Sequence, residues 1–129
     1  MAEPTNKKTV LLVEDDIFLS QLLTTRLQRA GVEVLKVFDG EAAIETLKTV
    51  KPNLMLLDII LPKKSGFEVM EEIHSNPMLQ GGPIIVISNL GQDSDMARGK
   101  ALGAVEYLVK AQTGIDELVE KIKSYLDRT

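Results

Sequence analysis

The stretch Val10-Leu11-Leu12-Val13-Glu14-Asp15-Asp16 carries a short apolar run directly into three acidic residues. A short apolar run bounded by polar residues is typical of a buried β-strand. Three later runs end in the same way on one polar side chain: Leu54–Leu57 on Asp58, Ile84–Ile87 on Ser88, and Tyr107–Val109 on Lys110. If these runs are parallel strands of one sheet, their polar ends all lie at its carboxyl edge.

Between the strand-like runs, apolar residues recur at helical spacing. In residues 17–30 we expect one apolar face made of Phe18, Leu19, Leu22, Leu23, Leu27 and Ala30. Five strand-then-helix units in succession predict an α/β fold, a (βα)5 doubly wound parallel sheet of five strands with helices on both faces. The predicted strands are 9–13, 32–37, 54–57, 84–87 and 105–109, and the predicted helices are 17–30, 41–50, 67–75, 93–102 and 115–126.

The fourth predicted helix has the thinnest apolar face. Its main apolar residues are Met96, Ala97, Ala101 and Leu102, and Gly99 lies inside it. A glycine in a helix interior costs roughly 1 kcal/mol relative to alanine. The sequence leaves two interpretations open, a marginal surface helix or a functional element of low local stability.

Length and composition restrict the class of protein. The chain has 129 residues and no cysteine, which suits a single domain over 1–129 (core about 8–126) without disulfides or thiolate metal sites. The net charge is −4 and no stretch forms a basic stripe, so we expect no direct contact with nucleic acid or a membrane. No apolar run reaches membrane-spanning length. We expect a cytoplasmic protein whose first residues are a tail leading into the first strand.

The polar strand ends suit a cation and a phosphoryl group. In the strand order 2-1-3-4-5, a common order for doubly wound sheets, the first and third strands are neighbours and Asp15 lies beside Asp58. Two neighbouring carboxylates repel each other unless a cation lies between them. Mg²⁺ binds through one or two carboxylates, water and phosphate oxygens. Ser88 can then hydrogen-bond a phosphoryl oxygen, and Lys110 can pair with it as a point charge.

Each of these residues also has a simpler interpretation. An acidic residue after a strand often caps the next helix, and for Asp16 we favour that role. Taken singly, Asp15 and Asp58 fit a cap or turn as well as a site, Ser88 fits a turn, and Lys110 fits a solvated strand end. Only the conjunction of all four favours a functional site.

Four segments together resemble the receiver domain of bacterial two-component response regulators, with a stand-alone, chemotaxis-receiver-like architecture. The resemblance covers about Lys8 to Leu126 and its motifs occur in the family's order and spacing. The matching segments are Leu11-Leu12-Val13-Glu14-Asp15-Asp16, Leu56-Leu57-Asp58-Ile59-Ile60-Leu61-Pro62 with Gly66, Ile87-Ser88, and Gly103-Ala104 followed by Tyr107-Leu108-Val109-Lys110.

The resemblance implies a chemistry for the acidic residues. Asp58 is similar to the aspartate that accepts a phosphoryl group from a histidine kinase or phosphotransfer protein. Asp15 resembles the direct Mg²⁺ ligand, with Glu14 acting through water and the main-chain carbonyl of Ile60 as a further ligand. The chain would then catalyse only its own phosphorylation and slow dephosphorylation.

The resemblance also implies a switch. Ser88 resembles the hydroxyl that moves toward the phosphoryl group, Tyr107 the aromatic residue that turns inward with it, and Lys110 the phosphate-binding lysine. The output would be a protein-binding face made by the fourth helix, fifth strand and fifth helix. The chain is either a stand-alone receiver with a downstream protein target or one domain of a longer regulator with an effector domain; the sequence leaves both open.

Two positions depart from the family pattern. Ala111 stands where a proline commonly follows the lysine, so we expect no cis peptide bond there. Asn89 stands after the switch serine in place of a small residue, where it would either obstruct the phosphoryl pocket or donate a hydrogen bond to it.

The alternative function is a Mg²⁺-dependent phosphohydrolase with an aspartyl nucleophile, as in the haloacid dehalogenase family. Those enzymes carry a general acid two residues after the nucleophile, and Ile60 at that position cannot transfer a proton. A flavin carrier is less consistent still, because the flavin phosphate would meet Glu14, Asp15 and Asp16.

Overall fold

The computed structural model describes residues 7–128 and contains one sheet of five parallel strands in the order β2-β1-β3-β4-β5. The predicted fold class is confirmed. Most of the predicted N-terminal tail falls on residues 1–6, outside the described residues. The elements are β1 Thr9–Val13, α1 Ile17–Arg29, β2 Glu33–Val37, α2 Gly40–Leu47, β3 Leu54–Leu57, α3 Gly66–Ser75, β4 Ile84–Ser88, α4 Asp93–Ala101, β5 Ala104–Val109 and α5 Ile115–Leu126, with 3₁₀ turns at Pro77–Leu79 and Lys110–Gln112.

The sheet separates two apolar cores, because successive residues of a strand point to opposite faces. Leu11 and Val13 of β1 face the layer of α2, α3 and α4, whereas Val10 and Leu12 face α1 and α5. The central strands β1, β3 and β4 are buried on both faces, and β2 at the edge is more exposed. Within residues 7–128 no helix is long and apolar enough to cross a bilayer.

The predicted apolar face of α1 was wrong at Phe18 and Leu22. Phe18 is 79% exposed and Leu22 37%, while Leu23 and Leu27 are buried. At 3.6 residues per turn, Phe18 and Leu22 lie about 140° around the helix from Leu23 and Leu27, so both pairs cannot face the sheet. The small residues Ser20 and Thr24 complete the buried stripe, and Ala30 is an exposed C-cap.

The expected thin face of α4 is present. Gly99 is the only buried residue of this helix, and Ala97 and Ala101 are exposed. Acidic residues in its first turn and basic residues in its last turn, Asp93, Asp95, Arg98 and Lys100, suit the helix dipole. The helix therefore contacts the core through the partly buried Met96 and through Gly99, a residue without a side chain.

Candidate functional site

The register of the sheet brings the acidic residues to one level. Val13 of β1 pairs with Leu57 of β3, so Glu14 and Asp58 follow paired residues, and the Asp58 N–H donates to the Val13 carbonyl at 3.0 Å. One carboxylate oxygen from each of Glu14, Asp15 and Asp58 lies within 4.8 Å of the others. The juxtaposition expected from strand order is therefore present in the structure.

Lys110 reaches this acidic cluster from the carboxyl end of β5, two strands away from β3. Its Nζ lies 2.8 Å from Oε1 of Glu14 and 2.8 Å from Oδ2 of Asp58. Both carboxylates are almost completely buried. Lys110 follows β5, and β4 lies between β5 and β3. The long lysine side chain spans that strand and supplies the positive charge that buried carboxylates require.

The two oxygens of Asp58 have different partners. Oδ1 accepts from the main-chain N–H groups of Ile59 at 2.7 Å and Ile60 at 3.3 Å. Oδ2 accepts from Lys110. Gly66 closes the loop against this residue, because a Cβ at Gly66 would lie 2.2 Å from the Asp58 carbonyl oxygen. The carboxylate is therefore held in one orientation by backbone groups, which is a requirement for a positioned nucleophile.

Burial dominates the electrostatics of the site. It raises the pKa of Glu14 to about 7, and the charge of Asp58 adds to the rise, although hydrogen bonds from Lys110 and the Asp16 N–H oppose it. Burial alone would lower the pKa of Lys110, but its hydrogen bonds to Asp58 and Glu14 outweigh this and raise that pKa above its usual range. One ammonium group is thus paired with two buried carboxylates, and a further cation would favour the ionised forms of both carboxyl groups.

The three acidic residues after β1 have three different environments. Asp16 caps α1, accepting from the Leu19 N–H at 3.1 Å, which confirms its predicted role. Glu14 is buried, and its Oε2 accepts from the Asp16 N–H at 3.0 Å. Asp15 is exposed. Its carboxylate is open to solvent beside Asp58, and an open carboxylate next to a buried one suits an ion that keeps several waters.

The donor set of this cluster fits Mg²⁺. All donors are oxygens, at least one is accessible to water, and a hard divalent cation would add positive charge beside Glu14, whose pKa is raised chiefly by burial and further by the charge of Asp58. Ile60 lies two residues after Asp58 in the same loop.

Ser88 and Tyr107 meet at the backbone of Leu90. The buried Oγ of Ser88 accepts from the Leu90 N–H at 3.2 Å, and the Tyr107 hydroxyl donates to the Leu90 carbonyl at 2.6 Å. Tyr107 is only 5% exposed, so its ring already lies inward. Sequence reasoning did not identify Leu90, because its contribution comes from main-chain atoms that its residue type does not indicate.

The two departures from the family pattern have different outcomes. Residues 7–128 contain no cis peptide bond, as expected at Ala111, and the chain after β5 continues into a 3₁₀ turn, Lys110–Gln112. Asn89 is exposed, and its effect on the phosphoryl pocket stays a prediction.

The sequence of residues 10–123 matches the response regulator receiver domain family. Among similar curated proteins, the probable transcriptional regulator ycf27 of Cyanophora paradoxa is 39% identical over 96% of this chain and 50% of its own length. The alkaline phosphatase synthesis transcriptional regulatory protein PhoP of Bacillus subtilis is 33% identical, over 96% of this chain and 50% of its own length. The chain thus spans about half the length of these relatives.

Solved structures agree with this result. The receiver domain of the Francisella response regulator 1452 has a TM-score of 0.86 over 95% of this chain and 98% of its own; at 24% identity it supports the fold alone. The BeF3-activated N-terminal receiver domain of RstA from Klebsiella pneumoniae has a TM-score of 0.82 at 28% identity, over 92% of this chain and 98% of its own.

These similarities bear on two of the predictions. They do not favour the alternative of a phosphohydrolase. The expectation of no contact with nucleic acid cannot be extended to a longer protein, because relatives are named as transcriptional regulators and one, RpaA of Synechocystis, as DNA-binding. With the family match, the relatives and the sheet order in agreement, this chain belongs to the receiver domain family of two-component response regulators.

Proposed function

We propose that Asp58 is the phosphoacceptor of this receiver. A carboxylate oxygen of Asp58 attacks the phosphorus of a phosphohistidine, the P–N bond breaks, and its electron pair stays on the imidazole nitrogen of the donor. The product is an acyl phosphate on Asp58. The observation that carries this proposal is the 2.8 Å contact between Lys110 Nζ and Asp58 Oδ2 inside the acidic cluster. That ammonium group is placed to bind a phosphoryl oxygen next to the nucleophile.

The metal-binding role is shared among four residues in this proposal. Asp15 and Asp58 hold Mg²⁺ directly, the main-chain carbonyl of Ile60 is a third protein ligand, and Glu14 acts through water. When bound, the ion offsets negative charge on the transferring phosphoryl group. The solvent exposure of Asp15 and the complete burial of Glu14 support this division of roles.

Ser88 and Tyr107 form the switch in this proposal, and the backbone of Leu90 links them. A phosphoryl group on Asp58 adds roughly −1.5 to −2 charges, which attract the Ser88 hydroxyl as a donor. When Ser88 turns toward it, the Leu90 N–H loses its acceptor, and the same residue holds the Tyr107 hydroxyl through its carbonyl. The coupling therefore runs through the two backbone groups of one residue, Leu90.

The phosphoryl donor is a histidine kinase or a phosphotransfer protein, and the output is binding through α4, β5 and α5. The recipient of that signal is either a separate protein or an effector domain of a longer chain. Relatives about twice as long that are named as transcriptional regulators support the second arrangement. We propose no turnover of ordinary phosphoesters, because Ile60 offers no general acid.

Intact mass after incubation with acetyl phosphate and Mg²⁺ tests the phosphoacceptor. We expect one phosphoryl adduct per chain, none in Asp58→Asn, and slow formation in Asp15→Asn. Asp16→Asn is the matched control, because asparagine caps a helix as well as aspartate does, and it should react like the wild type. An adduct on Asp58→Asn at the wild-type rate would place the site elsewhere, and repeated hydrolysis of p-nitrophenyl phosphate would favour the phosphohydrolase.

A further inference from the structure

Gly99 contacts a single aromatic ring across the interface between α4 and the sheet. A Cβ built on Gly99 would lie 2.7 Å from Cδ2 of Tyr107 and 3.0 Å from its Cε2. Real Cβ atoms do not approach other atoms this closely. A Cβ at position 99 would therefore require the Tyr107 ring to adopt another rotamer or α4 to move. Of the nine glycines in the chain, Gly99 is the one whose added Cβ would meet an aromatic ring.

The backbone of α4 does not require glycine at this position. Gly31, Gly82 and Gly103 have positive φ angles, a conformation that glycine favours, whereas Gly99 lies in the interior of a regular α-helix. Glycine is a poor helix former there. What it contributes is the absence of a side chain, in the only buried residue of α4.

Two contacts hold the Tyr107 side chain in place, one at its hydroxyl and one at an edge of its ring. Its hydroxyl donates to the Leu90 carbonyl in the loop before α4, and one edge of its ring lies against Gly99 within α4. The ring thus fills the gap between the sheet and the helix and is 5% exposed. A side chain at position 99 would compete with the ring for that gap.

We infer that Gly99 is a positioning residue for Tyr107, and that its missing side chain is what lets the ring lie inward beneath α4. A residue with a Cβ at this position forces one of two changes, movement of the ring onto the outer face between α4 and α5 or displacement of α4 from the sheet. Because that face is the proposed output surface, Gly99 sets which surface a partner meets. This inference goes beyond the proposed function and does not depend on phosphoryl transfer to Asp58.

Tyrosine fluorescence can follow the ring directly. The chain has two tyrosines and no tryptophan, so Tyr125→Phe leaves Tyr107 as the only strong emitter. In this background, acrylamide should quench Tyr107 weakly, and Gly99→Ala should increase the quenching constant several-fold. Gly114→Ala is the control, because a Cβ there meets nothing within 4 Å, and it should leave quenching unchanged. Equal quenching with glycine and alanine at position 99 would overturn the inference.

A double-variant experiment covers the case in which Gly99→Ala does not fold. Tyr107→Val removes the ring atoms that the new Cβ would meet and keeps an apolar strand residue. With Tyr107 present, Gly99→Ala should lower the melting temperature or prevent folding. In the Tyr107→Val background the same change should raise the melting temperature, because alanine is the better helix former. If Gly99→Ala destabilises the Tyr107→Val protein as much as the wild type, the ring is not the cause and the inference fails.

Discussion

The Nζ of Lys110 lies 2.8 Å from Oδ2 of Asp58, although 52 residues separate them in the chain. This contact crosses the sheet beneath the acidic cluster and links the proposed nucleophile to the one cation that reaches it within residues 7–128. The same ammonium group also pairs with Glu14. The effect of Lys110 on the stability of the fold can therefore be measured separately from its effect on phosphoryl transfer.

Replacing Lys110 by methionine should destabilise the fold when no divalent cation is present. The change leaves Glu14 and Asp58 buried without a counter-charge, and breaking a buried pair costs about 3 kcal/mol. Urea unfolding at neutral pH in a chelator measures the loss, and millimolar Mg²⁺ should recover part of it. Lys121→Met is the control, because the more exposed Lys121–Glu106 pair should contribute under about 1 kcal/mol. Equal losses in the two variants would contradict the assignment.

Mg²⁺ should raise the melting temperature of the wild type. A ligand that binds only the folded state adds about 1.4 kcal/mol of stability at ten times its dissociation constant, which is an increase of a few degrees for a domain of this size. Asp15→Asn should remove most of that gain, and Asp16→Asn should keep it. An unchanged melting curve across a Mg²⁺ titration would be inconsistent with a metal site.

Without a divalent cation, Glu14 should make stability fall as pH rises. The pKa of Glu14 is about 7 in the folded protein and 4.5 as its ordinary value. Between these values the folded state binds one proton more than the unfolded state. The contribution is fully present below pH 4.5 and is lost through about pH 7, with a slope of up to about 1.4 kcal/mol per pH unit. Urea unfolding between pH 5 and 8 in a chelator measures it, and Glu14→Gln should flatten that component. An identical slope in the variant would assign the effect to another group.

Ser88→Ala should uncouple the switch without abolishing phosphorylation. Asp58 and Lys110 remain intact in this variant, so the adduct should form, but the Leu90 N–H has already lost its acceptor. In the wild type, beryllofluoride should change hydrogen exchange more in residues 89–110 than in residues 41–50. We expect that difference to be small in Ser88→Ala. The same redistribution in both proteins would show that the coupling bypasses the Ser88 hydroxyl.

Local patterns in the sequence were sufficient for the fold and for most of the site. Fully apolar runs such as Leu54–Leu57 predict strands buried on both faces, and the structure buries that strand completely. Polar residues that close such runs lie at the carboxyl edge in any parallel sheet, so Asp58 and Ser88 could be placed without coordinates. Phe18 was misplaced because helical spacing within α1 fits two stripes, and only packing against the sheet selects Leu23 and Leu27.

The order of the strands determines which residues share the carboxyl edge, and the packed tertiary structure determines which of them are in contact. Sequence could not indicate that Lys110 reaches past β4 to pair with both Glu14 and Asp58, because side-chain reach and burial depend on the whole sheet. Nor could it indicate that the backbone of Leu90 joins Ser88 to Tyr107, since every residue other than proline carries the same main-chain groups. Gly99 is a weak helix former in the sequence, and only the packed helix reveals that its missing side chain makes room for the Tyr107 ring.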